Sequence, residues 1–455
     1  MSTGSKTFPG GLHPPDSKRY SEGRPIEVIP IPKQVTILMA QHIGAPCKPT
    51  VKKRDAVTAG QVIGSSDAFV SAPIHSPVAG TVKDIALASH PVIGRTMAVY
   101  IETDADGSEP KEPICDHFGK DFSIASYEGK QICDAIHAAG IVGMGGAGFP
   151  TRVKVAPNEA MPKTVLVVNG CECEPFITCD YRLMIEWTWQ VITGIRLAAK
   201  AAGVSKVRIG IEDNKPKAIE RMTEALTQCR DLGDVMVVPV PTQYPQGGER
   251  QLINTVLREQ VPTGGIPPQI GVCVLNVATC AAIAEAVTTS APLTHRVVTV
   301  TGRAVNRPGN YYTPIGINAG ELIEYCGGAK ESVAKIIMGG PMTGFSVGDL
   351  STPLTKTSGA ITLLTSDEVS MAKFKHEQTA CIRCGRCLEV CPEKLNPTKI
   401  AHAVKWNRMD IAEQYFMSAC IECGCCSYIC PANIELTGYI KTGKILKARA
   451  QKRMA

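Results

Sequence analysis

The stretch CIRCGRCLEVCP, residues 381–392, returns further along the chain as CIECGCCSYICP, residues 420–431. Each copy reads C-x2-C-x2-C-x3-C-P. The cysteines are Cys381, Cys384, Cys387 and Cys391 in the first copy, and Cys420, Cys423, Cys426 and Cys430 in the second. This is the spacing that holds paired [4Fe–4S] clusters. Three thiolates on a tight loop reach three corners of one cubane; the fourth, about one helical turn further on, points away and ligates the other cluster. The register therefore assigns Cys381, Cys384, Cys387 and Cys430 to one cluster, and Cys420, Cys423, Cys426 and Cys391 to the second. Paired C-x2-C units also occur in zinc modules, but two identical registers, each closed by proline, favour clusters. Cys425 falls outside the register. The expected chemistry is electron transfer.

Outward from this module, 455 residues leave room for roughly three or four domains. An apolar content of 44% with 20% charged residues is ordinary for globular material. Aromatics make up only 5% of the chain, which offers little for stacking nucleic-acid bases. The net charge of +6 includes no basic run before the C-terminal tail, so no nucleic-acid partner is expected. Nineteen cysteines, eight of them in cluster registers, fit a reducing compartment better than a disulfide framework. No apolar run approaches the ~18–20 residues that span a bilayer, and the opening MSTGSKTFPGGLHPPDSKRY lacks the apolar segment of a signal peptide. Membrane association is expected through partners. The basic tail, 441–455, reads as a solvated helix end or a docking face for an acidic partner or a lipid surface.

Residues 1–25, rich in glycine, proline and charge, read as an extended arm. Short β-type segments punctuated by Gly60, Gly64, Pro73, Pro77 and Gly80 fill 26–102. Within them SAPIHSPVAGTVKDI, residues 71–85, resembles the hammerhead (barrel-sandwich hybrid) fold of lipoyl and biotinyl carrier domains. No lysine occurs between Lys53 and Lys83, and Asp67-Ala68 stands where the attachment lysine is expected. The shape is kept without the swinging arm, and His75 reads as a structural hydrogen-bonding residue. From 125 to 290 helical and strand patterns alternate, giving a layered α/β domain. It opens with an amphipathic helix at 130–139, and strands are expected at 164–169, 207–212, 235–240 and 272–275. Helices are expected at 183–201, 215–228, 249–257 and 279–289. Residues 293–364 read as a compact β-grasp insert. Residues 366–440 carry the two-cluster module, with a helix expected at 397–415.

The first helix of the α/β domain runs into GIVGMGGAGFPTRVK, residues 140–154. Gly143, Gly145 and Gly148 satisfy G-x-G-x-x-G, but a helix precedes the loop and Pro150 follows it, so the Rossmann context is missing. What remains is the physics. Gly143, Gly145, Gly146 and Gly148 present bare amides that a flat ring or a phosphate can approach, and Lys154 can neutralise a phosphate. Beyond the strand at 164–169, Asn169-Gly170-Cys171-Glu172-Cys173-Glu174-Pro175 puts polar groups at a strand's carboxyl end, where α/β sheets bind ligands. Tyr244-Pro245-Gln246-Gly247-Gly248-Glu249 is a further glycine-rich turn at a helix start. Cys171, Cys173 and Cys179 have no cluster spacing and read as buried thiols.

GxGGAGFPT, VNGxExEP, YPQGGE and NVAT together closely resemble the flavin- and NADH-binding subunit of respiratory complex I. The full order of units, with FPGGLHPP ahead of the hammerhead domain, resembles the RnfC family of the Rnf electron transport complex, an ion-translocating ferredoxin:NAD oxidoreductase. The resemblance covers nearly the whole chain. It implies a multidomain fold of α/β plus β: hammerhead domain, complex-I-flavoprotein-like α/β domain, β-grasp insert and helical two-cluster ferredoxin-like domain. It also implies non-covalent FMN on Gly143, Gly145, Gly146, Gly148, Phe149 and Lys154. Asn169, Glu172 and Glu174 match the acidic loop. Tyr244, Gly247, Gly248 and Glu249 match the turn near flavin and nicotinamide, and Asn276 and Thr279 the last contact strand. Two positions depart from the complex I pattern: Cys171 replaces an aspartate and Ala278 a glutamate. Apart from Phe149, the aromatic residues that clamp NADH are missing.

The implied activity is exchange of electrons between NAD(H), FMN and two [4Fe–4S] clusters, with no side chain as nucleophile or general base. The protein is expected to be peripheral, on the cytoplasmic face of the inner membrane, with the other subunits of an electron transport complex as partners and ferredoxin reached indirectly. Electron flow would be coupled to Na+ or H+ movement. A soluble cobalamin reductase of the microcompartment type and a non-enzymatic electron-bridging protein stay open as alternatives.

Overall fold

The computed structural model describes residues 7–104, 109–229, 233–369 and 378–454. The α/β domain is built on four parallel strands, in chain order Val165–Asn169, Lys206–Glu212, Asp234–Val240 and Val272–Asn276. Their spatial order is third, second, first, fourth. Val165, Leu166, Val167 and Val168 are all buried, as a parallel strand covered on both faces requires. The order reverses between the first and fourth strands, and Asn169 pairs with Asn276 at their carboxyl ends. That is the crevice where open α/β sheets bind ligands.

Helix Thr188–Ala202, buried along most of its length, packs on helix Val277–Thr289. The contact is made at Gly194, where an added Cβ would lie 1.7 Å from the Cys280 carbonyl oxygen. The single helix expected at 183–201 is two, Cys179–Glu186 and Thr188–Ala202. Trp187 leaves helical geometry between them and sets its ring edge-on to Tyr312, with centroids 5.3 Å apart. The helix expected at 397–415 is likewise split into Pro397–Lys405 and Met409–Gln414. Asn407, at φ 55°, supplies the left-handed residue that ends the first part.

The hammerhead domain has two small sheets. One runs Gln34–Leu38, Gly94–Thr103, Gly80–His90, Ala56–Val57; the other runs Lys48–Pro49, Val62–Ser65, Ile74–His75. Its sheet begins at Gln34, because Ile26–Val28 pairs parallel with Gly309–Pro314 and joins the six-stranded sheet of the β-grasp unit. His75 is buried with Nδ1 unpartnered among the described residues, and burial beside the Lys356 ammonium lowers its pKa to about 3. Lys356 itself locks three units together: from the β-grasp side its Nζ donates to Pro73 O (2.7 Å) and Gly140 O (2.6 Å).

The arm is not free where it is described. Leu12 and Tyr244 exchange backbone hydrogen bonds, Gly11 N donates to Val390 O, and Phe8, Leu12, Lys18 and Ser21 are buried. The cluster module is helical, and no strand occurs in 378–454. In its last helix, Leu436–Met454, two of the basic residues are paired on the chain's own surface: Lys444 with Glu422 (2.9 Å) and Lys447 with Glu413 (3.1 Å). Helix closeness at Gly194 leaves no room for a methyl group, so Gly194→Ala should destabilise the fold by about 1–3 kcal/mol. Scanning calorimetry should read this as a midpoint lowered by several degrees.

Candidate functional site

A cleft of about 720 Å³ opens over the carboxyl ends of the first and fourth strands. Gly145, Gly146 and Ala147 form one wall, and Asn169, Glu172, Glu174, Gly247 and Asn276 line it with them. The glycine loop is closed at its base, where Gly143 N donates to Phe149 O and Met144 N to Thr279 Oγ1. Between these anchors the amides of Gly145, Gly146 and Ala147 meet no acceptor among the described residues. A Cβ placed on Gly146 would find nothing within 4 Å. Free amides on an unobstructed wall suit the phosphate and ring edges of a flavin nucleotide, which they would hold by hydrogen bonds and close approach.

The acidic loop is a fixed structure. Asn169 Nδ2 donates to Gly247 O (2.8 Å) while its Oδ1 accepts from Cys171 N, so the loop and the Tyr244–Glu249 turn are tied together. The Glu172 carboxylate accepts from Asp180 N (2.6 Å) and Tyr181 N (3.2 Å) and thereby caps helix Cys179–Glu186. Glu174 reaches the other way, accepting from Met342 N (3.1 Å) and the Thr343 hydroxyl. Asn276 caps helix Val277–Thr289 through Ala278 N and donates to Asp180 Oδ2.

Several groups at the cleft have no local signal in the sequence. Lys18, from the arm, sends its buried ammonium beneath the loop to the carbonyls of Glu172 (2.8 Å), Glu174 (3.1 Å) and Ile177 (2.7 Å). Asp180 lines the cleft, and burial with the nearby Glu172 carboxylate pushes its pKa up to about 7. Arg296, from the β-grasp sheet, donates to Lys356 O and Met144 O behind the glycine loop. Gly339, Gly340 and Thr343 close the far side. Distance in sequence hides all of these; only the acidic sequence near Asp180 could have pointed to one of them.

Other expected residues lie outside the cleft wall. Lys154 and Glu249 pair with each other at 3.2 Å. Phe149 and Gly143 form the base of the loop, Thr279 is buried behind it, and Gly248 caps helix Glu249–Leu257. Gly148, at φ 74°, turns the chain against Gln41 and His42 of the hammerhead domain. Tyr244 is buried, and its hydroxyl donates to Cys423 O (2.7 Å). Cys171, Cys173 and Cys179 are free thiols; Cys173 Sγ accepts from Gly247 N.

The two cysteine registers fold alike. Arg383 and Glu422 take φ 57° and 59°, Gly385 and Gly424 take 80° and 82°, and Lys394 and Asn433 take 53° and 51°. Cys381, Cys384, Cys387 and Cys430 line one cavity of about 240 Å³. The Cys426 thiol interacts electrostatically with those of Cys423, Cys420 and Cys391, and the out-of-register Cys425 lies among the same group. Four convergent thiols are the donor set an iron–sulfur cubane requires.

Comparison with known families matches four stretches of the chain. The family described as "RnfC Barrel sandwich hybrid domain" matches residues 6–106 and "Nuo51 FMN-binding domain" matches 136–285. "SLBB domain" matches 297–346 and "4Fe-4S dicluster domain" 373–431. The chain is 45% identical over 396 residues to the C subunit of the proton-translocating ferredoxin:NAD(+) oxidoreductase complex of Clostridium ljungdahlii, covering 87% of this chain and 84% of the relative. The chain belongs to the RnfC family of ion-translocating oxidoreductase subunits. It is also 39% identical over 407 residues to the C subunit of the Na(+)-translocating complex of Acetobacterium woodii, covering 90% of this chain and 89% of that one. An NAD+-reducing [NiFe]-hydrogenase structure aligns with 73% of this chain and 62% of its own at 17% identity, with a TM-score of 0.49; that likeness carries no weight. This chain thus matches both an FMN-binding domain and a 4Fe-4S dicluster domain.

A side chain at residue 146 would point into the cleft, so Gly146→Trp should abolish FMN binding while iron and sulfide content stay unchanged; flavin recovered on denaturation decides it. The Asp180 carboxyl is raised above its unfolded value, so the folded state holds its proton more tightly and loses stability as pH rises from about 4 to about 7. Asp180→Asn should therefore stabilise the protein more at pH 8 than at pH 5, measured as the difference in unfolding midpoint from the parent.

Proposed function

We propose that this chain is the peripheral component that exchanges electrons between NAD(H) and the membrane-bound partners of its complex, through FMN and two [4Fe–4S] clusters. The observation that carries this is the composition of one wall. Ile421 and Glu422, which lie between Cys420 and Cys423, line the same cleft as Gly145, Gly146 and Asn169. The set Cys420, Cys423, Cys426 and Cys391 then stands next to the flavin site. The set Cys381, Cys384, Cys387 and Cys430 stands beyond it, with Cys384 exposed.

Bound FMN supplies the exchange between two-electron and one-electron chemistry. The chain's own residues bind and orient. Free amides of residues 145–147 hold the flavin nucleotide, and Asn169 and Asn276 fix the loops around it. Glu174 and Tyr244 hold the cleft against the cluster module through Met342, Thr343 and Cys423. No residue is needed as nucleophile or general base. Among the described residues, no helix is long and apolar enough to cross a membrane. The relatives with the proton and the sodium names share 45% and 39% identity with this chain. In this reading ion movement and the choice of ion belong to other subunits, with this one at the cytoplasmic face.

Anaerobic reconstitution with iron, sulfide and FMN, followed by spectra before and after NADH, tests the reading. Flavin absorbance should fall first and the cluster bands next. Protein that holds flavin and clusters and bleaches with dithionite, yet stays unchanged under excess NADH, would end it.

A further inference from the structure

The hammerhead domain lacks an attachment lysine but still contributes to the cleft. Residues 40–43 and 90–93, both from this domain, line it together with the acidic loop. Val92, Ile93 and Ile43 are 53%, 60% and 49% exposed, a concentration of aliphatic surface at the rim of the cleft. The segment is also preformed. His90 Nδ1 accepts from the amides of Val92 (2.9 Å) and Ile93 (3.2 Å), and its Nε2–H donates to Ala40 O (2.9 Å). One imidazole thus pins the hairpin tip to the loop that carries His42 and Ile43. His42 is fixed in the same way: its Nε2 accepts from Ala72 N, and its Nδ1–H donates to Ile43 O. Ile43 N donates to Gly148 O, so this wall is continuous with the glycine loop.

We infer that the hairpin tip Val92-Ile93, with Ile43, is the subsite for the adenosine half of NAD(H). The inference rests on the function proposed above and adds where the far end of the dinucleotide lies. The nicotinamide must reach a flavin held at the bare amides of residues 145–147, so the adenosine is left for another part of the cleft. A rim of aliphatic side chains offers a purine face the dispersion contact that an aromatic clamp would otherwise give. Lys441, which also lines the cleft, supplies a cation, with its Nζ 4.8 Å from the Phe345 ring centre and no ion pair among the described residues. It can meet the pyrophosphate between the two halves. The domain related to a mobile carrier has become a fixed wall.

The test uses the reconstituted chain and the double substitution Val92→Ser with Ile93→Ser, which leaves His90 in place and changes only exposed side chains. ADP-ribose, which lacks nicotinamide, is titrated calorimetrically into the oxidised, FMN-loaded protein. Flavin bleaching is followed in parallel against NADH and against reduced nicotinamide mononucleotide, which lacks adenosine. ADP-ribose and NADH should each weaken about tenfold, with FMN affinity and the mononucleotide's half-saturation unchanged. Unaltered ADP-ribose affinity would overturn the inference, as would equal weakening of the mononucleotide or loss of FMN. Parent protein that holds FMN but is bleached by neither reductant would overturn the proposed function, and this inference with it.

Discussion

A buried ammonium fixes the loop around which the cleft is built. Lys18 Nζ gathers three backbone carbonyls of residues 172–177, and burial together with the neighbouring Lys215 pulls its pKa down while Glu172 and Glu212 oppose that. The loop it holds contains two non-glycine residues at positive φ, Glu172 at 52° and Phe176 at 72°. Each costs on the order of 1–3 kcal/mol and persists only where the surroundings over-determine it. Here the ammonium fixes the carbonyls from below, and the helix N-terminus fixes the Glu172 carboxylate from above. Glu212 and Lys215, paired at 2.8 Å and almost fully buried, complete the set of compensated charges. An uncompensated member would carry the full desolvation penalty, so these groups stand or fall together.

From that loop the connection runs outward to the clusters. Glu174 holds Met342 and Thr343. An added Cβ on Gly340 would lie 2.2 Å from the Glu174 carboxylate, which is why the β-grasp segment can come so close. Gly424, between Cys423 and Cys426, is in turn seated against Met342, whose carbonyl oxygen would lie 2.6 Å from its Cβ. The left-handed φ of 82° and this contact together require glycine there. Tyr244 makes a second link, bonded to Leu12 of the arm and to Cys423. Arm, α/β domain, β-grasp unit and cluster module therefore meet within a few side chains of the cleft. Electron transfer weakens steeply with distance, so this convergence is where the fold serves the chemistry.

The order of units and most element bounds were legible because their signals are local: cysteine register, apolar runs, glycine-rich turns. Helix Glu249–Leu257 lies where its periodicity puts it. Trp187 and Asn407 broke two expected helices for reasons outside local propensity, one a tertiary contact and the other a left-handed residue that chain statistics only weakly favour. Ile26–Val28 has a strand's composition, but only its distant partner Gly309–Pro314 determines which sheet it joins. At the site, the residues that touch the cleft by backbone or by position in the crevice were legible. Lys154 follows the glycine loop and, in the structure, pairs with Glu249, a partner 95 residues further on that no local pattern shows. Lys18 and Arg296 approach from units far along the chain, and a linear pattern holds no record of that approach.

Arg296 also bears on the electrostatics of an added electron. A cleft lined by Glu172, Glu174 and Asp180 alone would disfavour extra negative charge on anything bound there. Two features oppose this. The amides of residues 145–147 point partial positive charge at the wall they form. Behind them the buried Arg296 guanidinium holds the Met144 carbonyl, with its Nε unpartnered among the described residues. The positive charges of Asp180's environment, Arg296 first and Lys215 after it, work against the burial that favours its protonated form. The same cation thus shapes the glycine loop and offsets the acidic one. A change at Arg296 would therefore touch both the seating of the loop and the charge balance of the site.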